Sequence, residues 1–279
     1  MGRTLRKWAN GLLLFLGLLL MALYTVVPFV WTLSTALKGP EENVFAFPPD
    51  FIPDHPTLDN FREVWRRVPY FGRYFINSLV IAGASIILNV LCSSMAGYAL
   101  ARLRFPGRNL AFLVVLWTLM IPFQITMIPL FLIVLRLGLL NTYAGVILPT
   151  AVTGFGIFLF RQAFLRIPHS LSEAARIDGC SEWAIYWRIT LPLVKPTIAT
   201  LVIFTFVSTW GELLWPLIVL RDPSMYTISV GLSYLQSRFT MNLRWIAAGS
   251  VIAIVPVLVV FLAFQDFFIK GAVAGALKE

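Results

Sequence analysis

Six long apolar runs, separated by polar or charged segments, are the feature that most constrains the fold of this chain. About 20 apolar residues in a row are enough to cross a bilayer. Because lipid offers the backbone no hydrogen-bond partner, each run has to be helical. The sequence therefore predicts an all-α membrane protein. Its six transmembrane helices are expected at about residues 10–37, 74–100, 110–135, 143–164, 196–220 and 245–269.

The charges that flank these runs predict the orientation of the chain. The residues before the first run are basic without an acidic partner, and so are the charged residues between positions 101 and 109. The segment 38–73 instead mixes acidic with basic side chains. Since Lys and Arg collect on the cytoplasmic side, both termini and the polar segment at 165–195 are predicted to be cytoplasmic. The net charge of +9 is then explained by basic residues that flank the membrane spans, so no nucleic-acid partner is expected.

The polar segment at 165–195 is patterned as two short helices. Ser170 and Glu173 have the S-x-x-E spacing of a capping box at the start of the first helix. Gly179 can end that helix in a positive-φ conformation, and Ser181 can begin a second helix that runs to about residue 189. By its pattern alone, this segment could either lie on the membrane surface or dock a partner.

The same segment carries a spaced motif, E-A-A-x-x-D-G followed by I-x-L-P. Its residues are Glu173, Ala174, Ala175, Asp178, Gly179, Ile189, Leu191 and Pro192. With this motif inside six apolar runs, the chain resembles the permease subunits of binding-protein-dependent ABC importers. The stretches at 97–102, 120–122 and 271–278 are similar to the carbohydrate branch of that family, which is related to maltose permeases.

The resemblance implies a function and a set of partners. A permease of this kind moves a sugar or glycoside across the bacterial inner (plasma) membrane as a multi-pass protein, and its coupling loop seats on a cytoplasmic ATPase. The expected partners are a second related permease, an ATPase dimer, an extracytoplasmic substrate-binding protein, membrane lipid and the sugar itself. No cofactor is expected in this chain, since the partner ATPase would bind ATP and Mg. Disaccharides, glycosides and glycerol phosphates all remain open as substrates.

Motifs for chemistry within the chain itself are absent from the sequence. No glycine directly precedes a lysine, as a nucleotide-binding P-loop requires. There is no H-E-x-x-H zinc motif and no G-x-S-x-G nucleophile elbow, and two cysteines make no metal cluster. We therefore expect a transport subunit without its own ATPase site and without a metal. An ion-coupled secondary transporter stays open as an alternative, because such carriers place acidic residues at mid-membrane.

Glu212 is the acidic residue in question, within T-W-G-E-L-L-W-P of the fifth run. An ionised acid near a helix centre costs about 2.5–3.5 kcal/mol on insertion scales, so it should face a cavity or a partner. Trp210 and Trp215 flank it, and flat apolar rings beside a hydrogen-bond acceptor suit a sugar. Gly211 stands where the similar family commonly has Asn. Alternatively, the tryptophans pack against lipid or a partner and Glu212 bonds a neighbouring helix.

Gln124 is a second polar residue inside an apolar run. It follows Pro122, whose ring removes a backbone hydrogen bond in the helix. The position is thus either part of the substrate pathway or a kink that gates it. Phe155, between two glycines of the fourth run, is expected to pack against another helix.

Overall fold

The computed structural model describes residues 2–238 and 242–276, with side chains for residues 10–235 and 242–265. Within these ranges the regular secondary structure is entirely helical, which confirms the all-α prediction. The α-helices are α1 (Gly2–Leu37), α2 (Asp59–Arg67), α3 (Phe71–Arg102), α4 (Arg108–Met120), α5 (Phe123–Arg136), α6 (Tyr143–Ile147), α7 (Gly154–Leu165), α8 (His169–Ile177), α9 (Glu182–Ala184), α10 (Leu191–Leu193), α11 (Lys195–Gly211), α12 (Leu214–Val219), α13 (Ile228–Arg238) and α14 (Leu243–Ala276). Two 3-10 turns, Leu148–Thr150 and Pro223–Met225, and a π-helical stretch, Ile185–Thr190, join some of them. Of the tail stretch 271–278, residues 277 and 278 lie outside the described residues.

Three helical stretches are long and apolar enough to cross a membrane: Asn10–Leu37, Phe71–Arg102 and Leu243–Gln265, with mean hydropathies of 2.5, 2.1 and 2.7. Three further stretches reach that length only as pairs of helices joined at a bend. The bends are 103° between α4 and α5, 46° between the Tyr143–Thr150 stretch and α7, and 77° between the Glu182–Leu193 stretch and α11. Counting each pair as one span gives up to six.

The bends within 110–135 and 143–164 depart from the straight helices that the sequence predicts there. The 77° bend lies at residue 194, just before the predicted span 196–220, and that span is interrupted at a different point. At the first bend, Ile121 has φ −90° and ψ 115°, the extended conformation that a following proline imposes. The helix of the fifth run ends at Gly211, and Glu212 is again extended, with ψ 123°. The short helix α12 then begins at Leu214. Each of these three runs is therefore interrupted in its middle part.

The chain divides into two compact units, of which the first comprises Met1–Phe71 and Leu232–Ile254. In this unit the Asn60 amide donates to the carbonyl oxygens of Ala36 and Lys38, both at 2.9 Å, and thereby joins α2 to the end of α1. The Glu42 carboxylate accepts hydrogen bonds from three backbone amides, those of residues 39, 54 and 55. These hydrogen bonds stabilise the backbone conformation of the segment between α1 and α2.

The second unit comprises Gly72–Gly231 and Val255–Glu279, and it contains the polar segment at 165–195 and the cavity described in the next subsection. Its helices α3 and α7 cross at very short range. A Cβ built on Gly97 would lie 2.6 Å from Cβ of Phe160, and one built on Gly156 would lie 2.7 Å from Oγ of Ser93. Glycine is required at both crossings because any side chain would collide, so α3 and α7 are packed backbone to backbone.

Candidate functional site

The polar segment forms two helical elements joined by a glycine turn. Gly179 has φ +81°, as predicted, and no atom lies within 4 Å of a Cβ built there, so the backbone conformation alone demands glycine. The amides of Asp178, Gly179 and Cys180 donate to carbonyls of the last turn of α8 at 2.9–3.0 Å. The Ser181 hydroxyl accepts from the amide of Ala184 at 3.3 Å and caps the second element. The turn is therefore closed by hydrogen bonds on both sides.

Two predicted details of this segment are wrong. The capping box is not formed: α8 begins at His169, the flanking residue is Pro168, and no side chain caps the first turn. Since the N-cap is Pro168 and the helix starts two residues earlier than expected, Ser170 lies inside the helix. The second element does not stop near residue 189 but continues as a helix through Leu193. Pro192 is accommodated because it falls in the first turn of α10, where a missing N–H is no loss.

The segment is attached to α3 by side chains near the end of that helix. The Tyr98 hydroxyl donates to Oε2 of Glu182 at 2.9 Å, and Arg176 donates to Oε1 of the same carboxylate at 2.7 Å. A second tie joins the hydroxyls of Ser94 and Tyr186 at 2.7 Å. An aromatic cluster that includes Tyr98, Phe164 and Tyr186 surrounds these bonds.

Arg102 adds a third tie, to the end of α7. Its guanidinium is buried and donates to the carbonyl oxygens of Phe164, at 2.6 Å, and of Ile167. It also lies 3.2 Å from Nδ1 of His169 in the first turn of α8. The charge pattern of the sequence predicts only that Arg102 lies at the cytoplasmic end of α3. The signal for a role in the site was the stretch at 97–102, which contains both Tyr98 and Arg102.

The motif residues lie on two different faces of the segment. Ala175 is buried in the aromatic cluster, and Ile189 and Leu191 are partly buried against it. Exposed residues of the motif are Glu173, Ala174, Asp178, Gly179 and Pro192. Ile177 extends from the exposed face with 87% of its surface accessible, and Trp183 with 59%. An outward apolar side chain on a rigid helical turn is suited to insertion into a cleft of another protein.

A cavity of about 450 Å³ lies where the interrupted runs meet α3. Such a volume falls within the range of pockets that hold small molecules. The cavity is lined by residues at all three breaks and by one face of α3. These are Ile81, Ser85, Asn89, Phe123, Gln124, Val146, Thr150, Thr153, Phe155, Leu201, Phe204, Thr205, Ser208, Thr209, Glu212, Leu214, Trp215 and Pro216. Membrane transport proteins use discontinuous helices in this way to expose polar groups at depth.

Glu212 lines the cavity, as predicted, but it lies in a break between α11 and α12 and not within one continuous helix over 196–220. Its Oε1 accepts hydrogen bonds from the amides of Leu214, at 2.9 Å, and Trp215, at 3.3 Å. The carboxylate therefore caps α12 and at the same time lines the cavity. A negative charge at a helix N-terminus is stabilised by the free amides there, which explains how an acid is retained at this position.

The two tryptophans beside Glu212 have different environments. Trp215 lines the cavity, packs edge-on against Phe123 with ring centroids 5.9 Å apart, and donates from Nε1 to the carbonyl oxygen of Gly145 at 3.2 Å. Trp210 is buried and stacks on Phe206 with centroids 5.3 Å apart, and it is not among the lining residues. The chain turns at Gly211 and Glu212, so the two rings are not brought together. Gln124 and Phe155, the other positions that we singled out, both line the cavity.

Ser85 and Asn89 are lining residues that sequence reasoning missed. Asn89 donates to Oγ1 of Thr205 at 2.9 Å, and its Oδ1 accepts from Ser93 at 2.8 Å and from the amide of Thr153 at 3.2 Å. It thereby links α3 to the break before α7 and to α11. The available signal was the spacing of Ser85, Asn89 and Ser93, which places three polar residues on one face of an apolar helix.

Apolar helices of membrane-crossing length, a cavity with polar groups at their breaks and a tethered helical segment with an exposed face are the features of a membrane transport component. Comparison with known proteins gives the family. Residues 89–272 match the family described as binding-protein-dependent transport system inner membrane component. The chain belongs to this family and is a transport subunit of the inner membrane.

Individual relatives agree with this assignment. The arabinooligosaccharides transport system permease protein AraQ of Halalkalibacterium halodurans is 44% identical over 228 residues, which cover 82% of each chain. The sn-glycerol-3-phosphate transport system permease protein UgpE of Yersinia pestis is 33% identical over 269 residues, or 94% of each chain. The fold is shared with a bacterial ABC transporter involved in the import of the acidic polysaccharide alginate, with a TM-score of 0.80 at 24% identity, covering 93% of this chain and 96% of that chain.

Proposed function

We propose that this chain is the permease subunit of an ABC importer that carries a sugar or glycoside across the inner membrane, driven by ATP hydrolysis in a partner. The relatives named for arabinooligosaccharides and for sn-glycerol-3-phosphate support a small polyhydroxylated solute. The chain has no P-loop, so ATP and Mg would be bound by the partner ATPase.

The polar segment at 165–195, hereafter the coupling segment, and the cavity are joined by one continuous helix, α3, and this arrangement carries the proposal. Tyr98 holds the segment through Glu182, and Ser85 lines the cavity thirteen residues earlier on α3. At 1.5 Å per residue, the two sites are roughly 20 Å apart along an unbroken helix. A partner that moved the segment would therefore move the cavity wall with it. Alternating access follows if ATP-driven closure of the ATPase dimer supplies that movement.

The proposal includes three protein partners. An extracytoplasmic substrate-binding protein agrees with the family description. A dimeric ATPase would receive the exposed face of α8, with Ile177 as its most accessible apolar side chain. A second, related permease would complete the pathway, since this chain supplies one wall of it.

The experiment is reconstitution of the chain with its partner permease, ATPase and binding protein in proteoliposomes. We expect ATP-dependent uptake, and we expect Ile177→Asp, Asp178→Arg and Gly179→Pro to abolish it without loss of membrane insertion. Ile177→Leu is the matched control and should retain uptake, because it preserves an apolar side chain at the exposed position. Normal uptake by correctly inserted Ile177→Asp and Asp178→Arg proteins would contradict the proposal.

A further inference from the structure

The Ser85 hydroxyl is buried against the cavity without a hydrogen-bond partner among the described residues. Ser85 is 1% exposed, its Oγ is unpaired, and its side chain is part of the cavity lining. A buried hydroxyl without a partner is costly, and nearly all such groups in proteins are paired. Asn89, one turn further along the same face, already has four partners. Ser85 is therefore the polar group on this face of α3 whose hydrogen-bonding capacity is unused.

The charged and polar side chains that line the cavity indicate which solutes it can bind. Among the described lining residues there is one carboxylate, Glu212, and no Lys, Arg or His. The remaining polar groups are neutral hydroxyls and amides, and four aromatic rings complete the wall: Phe123, Phe155, Phe204 and Trp215. Two amides of the next helix donate to the Oε1 of Glu212 and hold its carboxylate at the cavity wall.

These groups discriminate between solutes of different charge. On the wall that this chain supplies, a phosphate or a uronic acid would find no cation to pair with, and the Glu212 carboxylate would repel it at the low dielectric of a buried site. An uncharged sugar offers hydroxyls to Ser85 and to the threonines and C–H faces to the aromatic rings. Its transfer into the cavity therefore leaves no charge unpaired.

We infer that the cavity binds the ring of an uncharged sugar, that Ser85 is a hydrogen-bonding partner of that ring, and that Glu212 excludes anionic sugars. The inference rests on the proposed function, because it names the substrate class of the same importer. It separates this chain from the relative named for sn-glycerol-3-phosphate and from the fold relative named for an acidic polysaccharide.

The test is direct binding to the complete importer complex, purified in detergent without the binding protein. Saturation-transfer NMR measures weak binding of two probes of equal length, neutral 1,5-arabinotriose and anionic trigalacturonate. We expect the wild-type complex to bind arabinotriose and to bind trigalacturonate at least about tenfold more weakly. Ser85→Ala should weaken arabinotriose binding by about three- to tenfold, the effect of one neutral hydrogen bond.

Two further variants make the result specific. Thr35→Val is the matched control: Thr35 also has a buried, unpaired hydroxyl, but it belongs to the first unit and not to the cavity lining. Its arabinotriose affinity should equal that of the wild type. Glu212→Gln retains an oxygen that can cap α12 but cannot carry a negative charge, so it should tighten trigalacturonate binding relative to arabinotriose binding.

The inference is overturned if trigalacturonate binds the wild type as tightly as arabinotriose does, or if Ser85→Ala and Thr35→Val behave alike. It is also overturned if neither probe binds while the reconstituted importer still takes up solute at the expense of ATP. In that last case the proposed function stands, because ATP-dependent uptake is measured independently of the cavity. Loss of ATP-dependent uptake altogether would instead remove the proposed function.

Discussion

Removal of the Tyr98 hydroxyl should uncouple transport from ATP hydrolysis. Tyr98→Phe breaks the 2.9 Å hydrogen bond to Glu182 but keeps the ring, which lies 5.6 Å from Phe164 and 5.3 Å from Tyr186. A hydrogen bond to a charged group contributes about 1.5–3 kcal/mol. Since Glu182 is partly exposed and keeps Arg176 as a partner, the lower end applies. About 1.5 kcal/mol corresponds to roughly tenfold in the equilibrium between an attached and a detached segment.

The assay compares sugar uptake with ATP hydrolysis in proteoliposomes that contain the complete importer. We expect Tyr98→Phe to lower the sugar imported per ATP by up to about tenfold while basal ATP hydrolysis persists. Arg176→Ala should have a smaller effect, because the pair with Glu182 is more than 40% exposed on each side, and such pairs are worth about 0–1 kcal/mol. Tyr143→Phe is the matched control, since it removes a 2.7 Å hydroxyl bond to Asn77 outside the coupling segment.

The reasoning would be refuted by a Tyr98→Phe importer whose uptake per ATP equals that of the wild type and of Tyr143→Phe. An equal loss in Tyr98→Phe and Tyr143→Phe would also refute it, because the effect would then reflect general destabilisation. Thermal unfolding of all three proteins in detergent measures that component separately.

Three further predictions concern backbone positions and charge. Gly179→Ala should impair coupling, whereas Gly138→Ala should not. Both glycines have positive φ and open space around a Cβ, so both substitutions introduce the same backbone strain of about 1 kcal/mol. Sugar uptake measures the loss of coupling, and the unfolding temperature measures the strain. Gly97→Ala should lower stability by about 1–3 kcal/mol because it collides with α7, whereas Gly83→Ala, with no atom within 4 Å of its Cβ, should be neutral or slightly stabilising in the same unfolding assay. The backbone amide of Gly39 and two other amides hold the pKa of Glu42 below its ordinary value. The Glu42 carboxylate therefore contributes its full stabilisation above the unfolded-state pKa of about 4.3, and this stabilisation is lost as the pH falls through the lower folded-state pKa. Glu42→Gln should flatten the pH dependence of the unfolding temperature in that range.

Properties that depend on local chemistry were predictable from the sequence. Apolar run length fixes helix content and membrane insertion, and the positive φ of Gly179 follows from glycine at a helix end. The capping box failed for an equally local reason, because α8 starts after Pro168, two residues ahead of the expected position, and Ser170 therefore lies inside the helix. A short motif can thus be present in the sequence and remain unused.

Properties that depend on the direction of a chain after a break were not predictable. Trp210 and Trp215 flank Glu212 in sequence, but the turn at Gly211 buries one ring against Phe206 and leaves the other at the cavity. Ser85 was missed because an apolar run does not reveal whether one of its serines bonds its own helix or faces a cavity. That distinction requires the neighbouring helices, which tertiary packing supplies.

The most direct measurement of the central claim is solute uptake by this chain with and without its ATPase partner. In proteoliposomes with the second permease, the ATPase and the binding protein, ATP should drive uptake, and removal of the ATPase alone should abolish it. Ile177→Asp, at the most accessible apolar side chain of the coupling segment, should have the same effect as removal of the ATPase. Uptake by this chain alone, driven by a proton or sodium gradient, would contradict the account.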